Sequence, residues 1–219
     1  MINSSKYGLL TLGLLGVGAF FILRNRKKDS SKFRKDVVSN ALKELDAWNG
    51  YVETDLEVKD DLLKYWESVG YYYTESEYNS DDPYTPPENA WSAAFVSSVM
   101  KDSGAGDSFD YSASHAAYLI YARDNTLNYP DEPFKAYRTD EVVPEVGDII
   151  CKNRAGGNAS YDDIEVGDPL HCDIITEIGW WEVDAIGGNL SDTVKEVSYD
   201  LDSEGKLTDE HFAIIKTDL

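Results

Sequence analysis

An α+β fold is predicted by two observations. Apolar residues recur at helical spacing through the first half of the chain, and from Phe134 onward they alternate at strand spacing. A third observation, one long charge-free apolar run near the N terminus, adds a transmembrane helix ahead of the folded body.

That run is Tyr7 to Leu23. At 1.5 Å per residue it reaches roughly 25 Å, just short of the ~30 Å of a bilayer's hydrocarbon core. A cleavable signal would be followed by small residues, whereas Arg24-Asn25-Arg26-Lys27-Lys28 follows here, so the run reads as an uncleaved anchor. The chain then divides into a membrane anchor with a basic flank (1–28), a polar linker (29–36) and one domain (37–219). The positive-inside rule puts the basic flank, and with it the body, on the cytoplasmic side. A viral membrane or a bacterial envelope are the two settings for a single-pass chain of this design.

Within the body, Val37, Val38, Ala41, Leu42, Leu45 and Trp48 mark one stripe of a helix that Asn49-Gly50 stops. Leu62, Leu63, Trp66 and Val69 repeat the pattern over Val58 to Val69. Tyr71 to Pro87 is rich in Tyr, Asp and Pro and reads as a loop. Trp91 to Met100 is an apolar helix ending at Lys101-Asp102-Ser103-Gly104. Ser112 reads as the N-cap of a further helix through Ala116, Ala117, Leu119 and Ile120. About five strands follow: Val146–Cys151, Leu170–Ile178 and Trp180–Ile186 split by Gly179, Thr193–Tyr199 and His211–Ile215, with a turn around Gly205.

The net charge of −21 is unevenly spread. Residues 1–36 carry eight Lys/Arg against two Asp/Glu, a net of +6, which leaves −27 for the body. A surface that acidic repels phosphates, so nucleic acid is excluded as a partner. Two cysteines, Cys151 and Cys172, are too few for a disulfide scaffold; two buried thiols or a single bridge between neighbouring strands are both open.

Four segments carry chemistry. Ser92 stands at the start of its helix, where free N–H groups and the helix dipole favour an anion, and it serves there either as a nucleophile or as a plain capping residue. A serine hydroxyl needs a neighbouring base. His171, in Leu170-His171-Cys172-Asp173, is a candidate base, and alternation puts it on the same strand face as Asp173. Asn189, after Gly187-Gly188, is either a turn residue or the group that orients an imidazole. Trp91, Glu88 and His115 are candidates to line the site, and His115 opens a helix. His171 and Asp173 lack a third ligand for a metal, and no motif calls for a cofactor.

Taken in order, these segments resemble the CHAP and NlpC-type papain-like cell-wall peptidases. They are closer still to a bacterial and phage family related to them. Its motifs stand here as Trp91-Ser92-Ala93-Ala94-Phe95, Ser112 to Tyr118, Gly147 to Cys151, His171-Cys172-Asp173-Ile174 and Gly187-Gly188-Asn189. The resemblance spans about 37–217 and implies a papain-like fold that cleaves peptidoglycan amide bonds. It implies Ser92 as nucleophile, His171 as base and Asn189 as orienting residue. The departure is Ser where those peptidases carry Cys.

Two functions therefore compete. One is a membrane-anchored peptidoglycan hydrolase of a phage virion or lysis system, with Cys151 as the only substitute nucleophile. The other is a non-catalytic virion or membrane protein that keeps the fold to bind glycan, peptide or an envelope neighbour.

Overall fold

The computed structural model describes residues 32–74, 90–208 and 210–219. Four helices come first: α1 (32–47), α2 (Lys59–Ser68), α3 (Ser92–Asp102) and α4 (His115–Asn128). Six strands follow: β1 (Phe134–Arg138), β2 (Ile149–Asn153), β3 (Leu170–Ile178), β4 (Glu182–Gly187), β5 (Lys195–Asp200) and β6 (His211–Thr217). They form one antiparallel sheet in the order β1-β6-β2-β3-β4-β5. The α+β expectation holds, with one strand more than the sequence suggested. The addition is β1, a short edge strand paired with β6.

Alternation along the strands separates two cores. Ile149, Cys151, Cys172, Ile174, Ile186 and Ile215 pack with the helices in the larger one, and Ile150, Ile175, Val183, Ala185 and Ile214 form the smaller one on the other face. Within the helical layer Trp48, Tyr65 and Trp91 stack, with ring centroids 4.7 Å apart for Trp48 and Trp91. Two boundaries differ from expectation. Helix α4 starts at His115 with Ser114 as its N-cap, because Ser112 Oγ instead accepts the Ser114 N–H at 3.1 Å in a tight turn. Strand β2 starts at Ile149, not Val146: Gly147 (φ +88°) and Asp148 form the turn that leads into it.

The anchor expected at 7–23 lies outside the described residues, as does Glu88. Among the described residues, no helix is long and apolar enough to cross a membrane.

The cysteine alternatives resolve as a disulfide. Cys151 and Cys172 face each other in the β2–β3 ladder with Cα atoms 4.2 Å apart, the close spacing of a non-hydrogen-bonded antiparallel pair. Neither is therefore a free thiol. Reducing this bridge across 21 positions of sequence should lower stability by about 3 kcal/mol. Denaturant midpoints with and without reductant measure it, and equal midpoints would show that the bridge contributes nothing.

Candidate active site

Ser92 is the first residue of α3, with Trp91 as its N-cap, so it does not cap the helix itself. Its helix is pressed onto the end of β4 by glycine. A Cβ at Gly188 would lie 2.6 Å from Phe95 and 2.7 Å from the Trp91 ring. A Cβ at Gly187 would lie 1.9 Å from Asp173 Oδ1 and 3.0 Å from His171 Nε2. The Gly187-Gly188 pair is thus a packing requirement: it makes room for α3 on one side and for the His171–Asp173 pair on the other.

The imidazole on Ser92 belongs to His115. Ser92 Oγ lies 2.6 Å from His115 Nε2, and Arg154 Nη2 donates to the same oxygen at 2.8 Å. Arg154 Nη2 also stands 3.5 Å from His171 Nδ1, so the guanidinium lies between the serine and the imidazole expected to serve it. His171 Nε2 is 2.8 Å from Asp173 Oδ1, and Tyr199 donates to Asp173 Oδ2 at 2.7 Å. On the far side, His115 Nδ1 hydrogen-bonds the Tyr118 hydroxyl.

Donor capacity orders this chain of contacts. Arg154 can only donate, which leaves the Ser92 hydroxyl proton for His115 Nε2 and puts the His115 proton on Nδ1, toward Tyr118. A charged Asp173 can only accept, so His171 donates from Nε2 to its Oδ1. The side chains form one continuous line: Tyr199, Asp173, His171, Arg154, Ser92, His115, Tyr118.

The electrostatics agree. Burial, then the positive fields of His171 and Arg154, hold the His115 pKa well below the usual histidine value, so His115 is a neutral acceptor. Burial and the Asp173 charge push the Tyr118 phenol well up, which keeps it protonated. Burial alone would raise Asp173, but His171, the Tyr199 hydroxyl and His211 more than offset it and keep the carboxyl below its ordinary value. Burial lowers Arg154 against the opposing pull of Asp173.

The other expected site residues sit apart. Trp91 is buried in the aromatic stack and donates its indole N–H to Glu53 Oε2 at 2.6 Å. Asn189 follows β4 in a left-handed conformation (φ 55°), and among the described residues it makes no hydrogen bond to His171; Asp173 occupies the orienting place. Arg154, Tyr118 and Tyr199 were not anticipated. The available signals were the His115/Tyr118 spacing of one helical turn and the position of Arg154, the last arginine of an acidic chain.

An eighth group lies behind the line. His211 is buried at the start of β6, its ring 4.5 Å from Tyr199, and among the described residues neither ring nitrogen has a hydrogen-bond partner. Burial lowers its pKa to about 4, with Lys152 and His171 lowering it further and Asp173 opposing. The folded chain therefore keeps His211 neutral while the unfolded chain protonates near 6.5. Its contribution to stability is complete above pH 6.5 and is lost as pH falls toward 4, by about 3 kcal/mol. His211→Phe should keep the ring packing and remove this loss, as seen in urea unfolding at pH 6.5 and pH 4; an unchanged pH dependence would assign the loss to His115 instead.

The fold and site define an α+β protein with a buried Ser–His pair bonded to an arginine and backed by a His–Asp–Tyr relay. The chain belongs to the family described as uncharacterised proteins conserved in bacteria, DUF2272, whose model matches residues 60–217. No curated protein and no solved structure matches the chain.

Proposed function

We propose that this chain is a papain-like amide hydrolase acting on peptidoglycan, with Ser92 as nucleophile and His115 as its base. The observation that carries the reading is the 2.6 Å contact between Ser92 Oγ and a neutral His115 Nε2 at the start of a helix. The Ser92 proton passes to His115 as Oγ bonds to the scissile carbonyl carbon. The oxyanion is met by the free N–H groups of the first turn of α3. Collapse breaks the C–N bond, His115 returns the proton to the departing amine, and water then cleaves the ester by the reverse sequence.

This reading keeps Ser92 and the peptidoglycan substrate and moves the base from His171 to His115. Cys151 is ruled out as the nucleophile, since its sulfur is in the disulfide. The bridge also bears on location. Disulfides persist on the oxidising side of a membrane, which favours a body outside the cytosol over the side given by the positive-inside rule. We accordingly place residues 7–23 in a membrane as a single-pass anchor, with the domain facing the cell wall from a phage virion, a lysis system or the bacterial envelope.

One observation favours a second reading, a non-catalytic virion or envelope protein. Ser92 is only 1% exposed, which suits a structural hydrogen bond as well as an attack. The two are separated by incubating the full-length protein in detergent with purified sacculi. Release of new amino groups that stops in Ser92→Ala supports the hydrolase; sacculus binding without release leaves the binding protein.

A further inference from the structure

Arg154 differs from the other site residues in having too few partners. Its backbone is fixed at the end of β2: its N–H donates to Pro169 O at 2.7 Å, and its carbonyl accepts the Gly157 N–H at 2.9 Å. Its guanidinium is half-buried and makes both of its side-chain contacts, to Ser92 and His171, through Nη2. Among the described residues no hydrogen bond involves its Nη1 or Nε, and no carboxylate forms an ion pair with it. Arg34 and Arg138, by contrast, each pair with two or more carboxylates. In a chain with 41 acidic residues, an arginine beside a Ser–His pair that forms no direct ion pair among the described residues is a feature to explain.

Removing a guanidinium from water without an anion is costly, and the N–H groups left free on Nη1 and Nε can donate charge-assisted hydrogen bonds to a carboxylate oxygen. We infer that Arg154 is a carboxylate clamp whose free Nη1 N–H groups bind the terminal carboxylate of a peptide while Nη2 stays on Ser92. The substrate class is then a peptide with a free C-terminal carboxylate, and the bond broken is the amide one residue before it. The amine leaves as an amino acid that retains the clamped carboxylate and takes its proton from His115. The His171–Asp173–Tyr199 relay becomes the support that holds Arg154 in place. This inference rests on the hydrolase reading for its chemistry, but the clamp itself is a binding property that stands or falls separately.

The test is calorimetric titration of the full-length protein in detergent micelles, in a Ser92→Ala background that cannot turn over. The probes are acetyl-alanyl-alanine as the free acid and as its C-terminal amide, each in the D and L forms. The free acid should bind at least about tenfold more tightly than the amide, the scale of a charge-assisted pair. Arg154→Gln should abolish that preference without weakening amide binding, and Arg154→Lys should retain part of it. Equal titration of acid and amide, including heat from neither, overturns the clamp. So does a preference that survives Arg154→Gln. The acid–amide comparison needs no Arg154 variant, so a misfolded variant does not spoil it. Acid preference without sacculus turnover by the wild-type protein would sink the hydrolase and leave the clamp; turnover without acid preference would do the reverse.

Discussion

His115→Ala is expected to lower the rate of amine release from sacculi by roughly 10²–10⁴-fold, the usual contribution of a positioned base. Ser92→Ala should fall at least as far, because the two act as one unit and their losses do not add. His171→Ala should cost less, since His171 reaches Ser92 only through Arg154. The pH profile supplies an independent readout. A base must be neutral to accept a proton, and burial together with His171 and Arg154 depresses His115. The acid limb of kcat/KM should accordingly lie below the ordinary histidine value of 6.5, with activity persisting as pH falls through it. The opposite pattern, with His171→Ala inactive and His115→Ala retaining most activity, would return the role of base to His171.

What the sequence made legible follows from the range of the interactions involved. The helix and strand periods of α1 to α4 and β2 to β6 are local signals, and they placed those elements within a few residues. The pairing of Asp173 with His171 was also readable, because a two-residue spacing on a strand puts both on one face. The imidazole that meets Ser92 was not. His115 lies 23 positions away on another helix, and only the packing of both α3 and α4 on β3 brings it in. Arg154 is 62 positions from Ser92 and was unreadable for the same reason. Asn189 stands in a motif whose orienting role is an expectation, whereas the close packing there is carried by the neighbouring Gly187 and Gly188. The cysteines were ambiguous until the β2–β3 register fixed them opposite one another.

Asp148→Ala should destabilise the fold by about 3 kcal/mol, the low end of the cost of breaking a buried ion pair. Asp148 is completely buried and accepts from Arg34 Nη1 at 2.7 Å, Lys216 Nζ at 2.6 Å and the Glu145 N–H at 2.8 Å. It thereby ties α1 and β6 to the turn before β2, which explains the Gly147-Asp148 motif without any role in the site. A Cβ at Gly147 would meet the Arg34 side chain at 3.0 Å, so the glycine brings α1 close enough for the pair to form. Burial pushes the Asp148 carboxyl up even though Lys216 and Arg34 pull it down, so desolvation outweighs pairing at this group. Deleting the carboxylate alone leaves two poorly solvated cations, with Glu145 and Asp218 at the surface as their remaining partners. Deleting both ends of the inner pair removes that burden. Asp148→Leu combined with Lys216→Met should therefore recover most of the stability lost in Asp148→Ala, and the double variant should lie well above the sum of the single losses. Urea unfolding of the two single variants and the double one closes the cycle. A double variant as unstable as that sum would mean that the two groups are not coupled and that Asp148 acts through Arg34 alone.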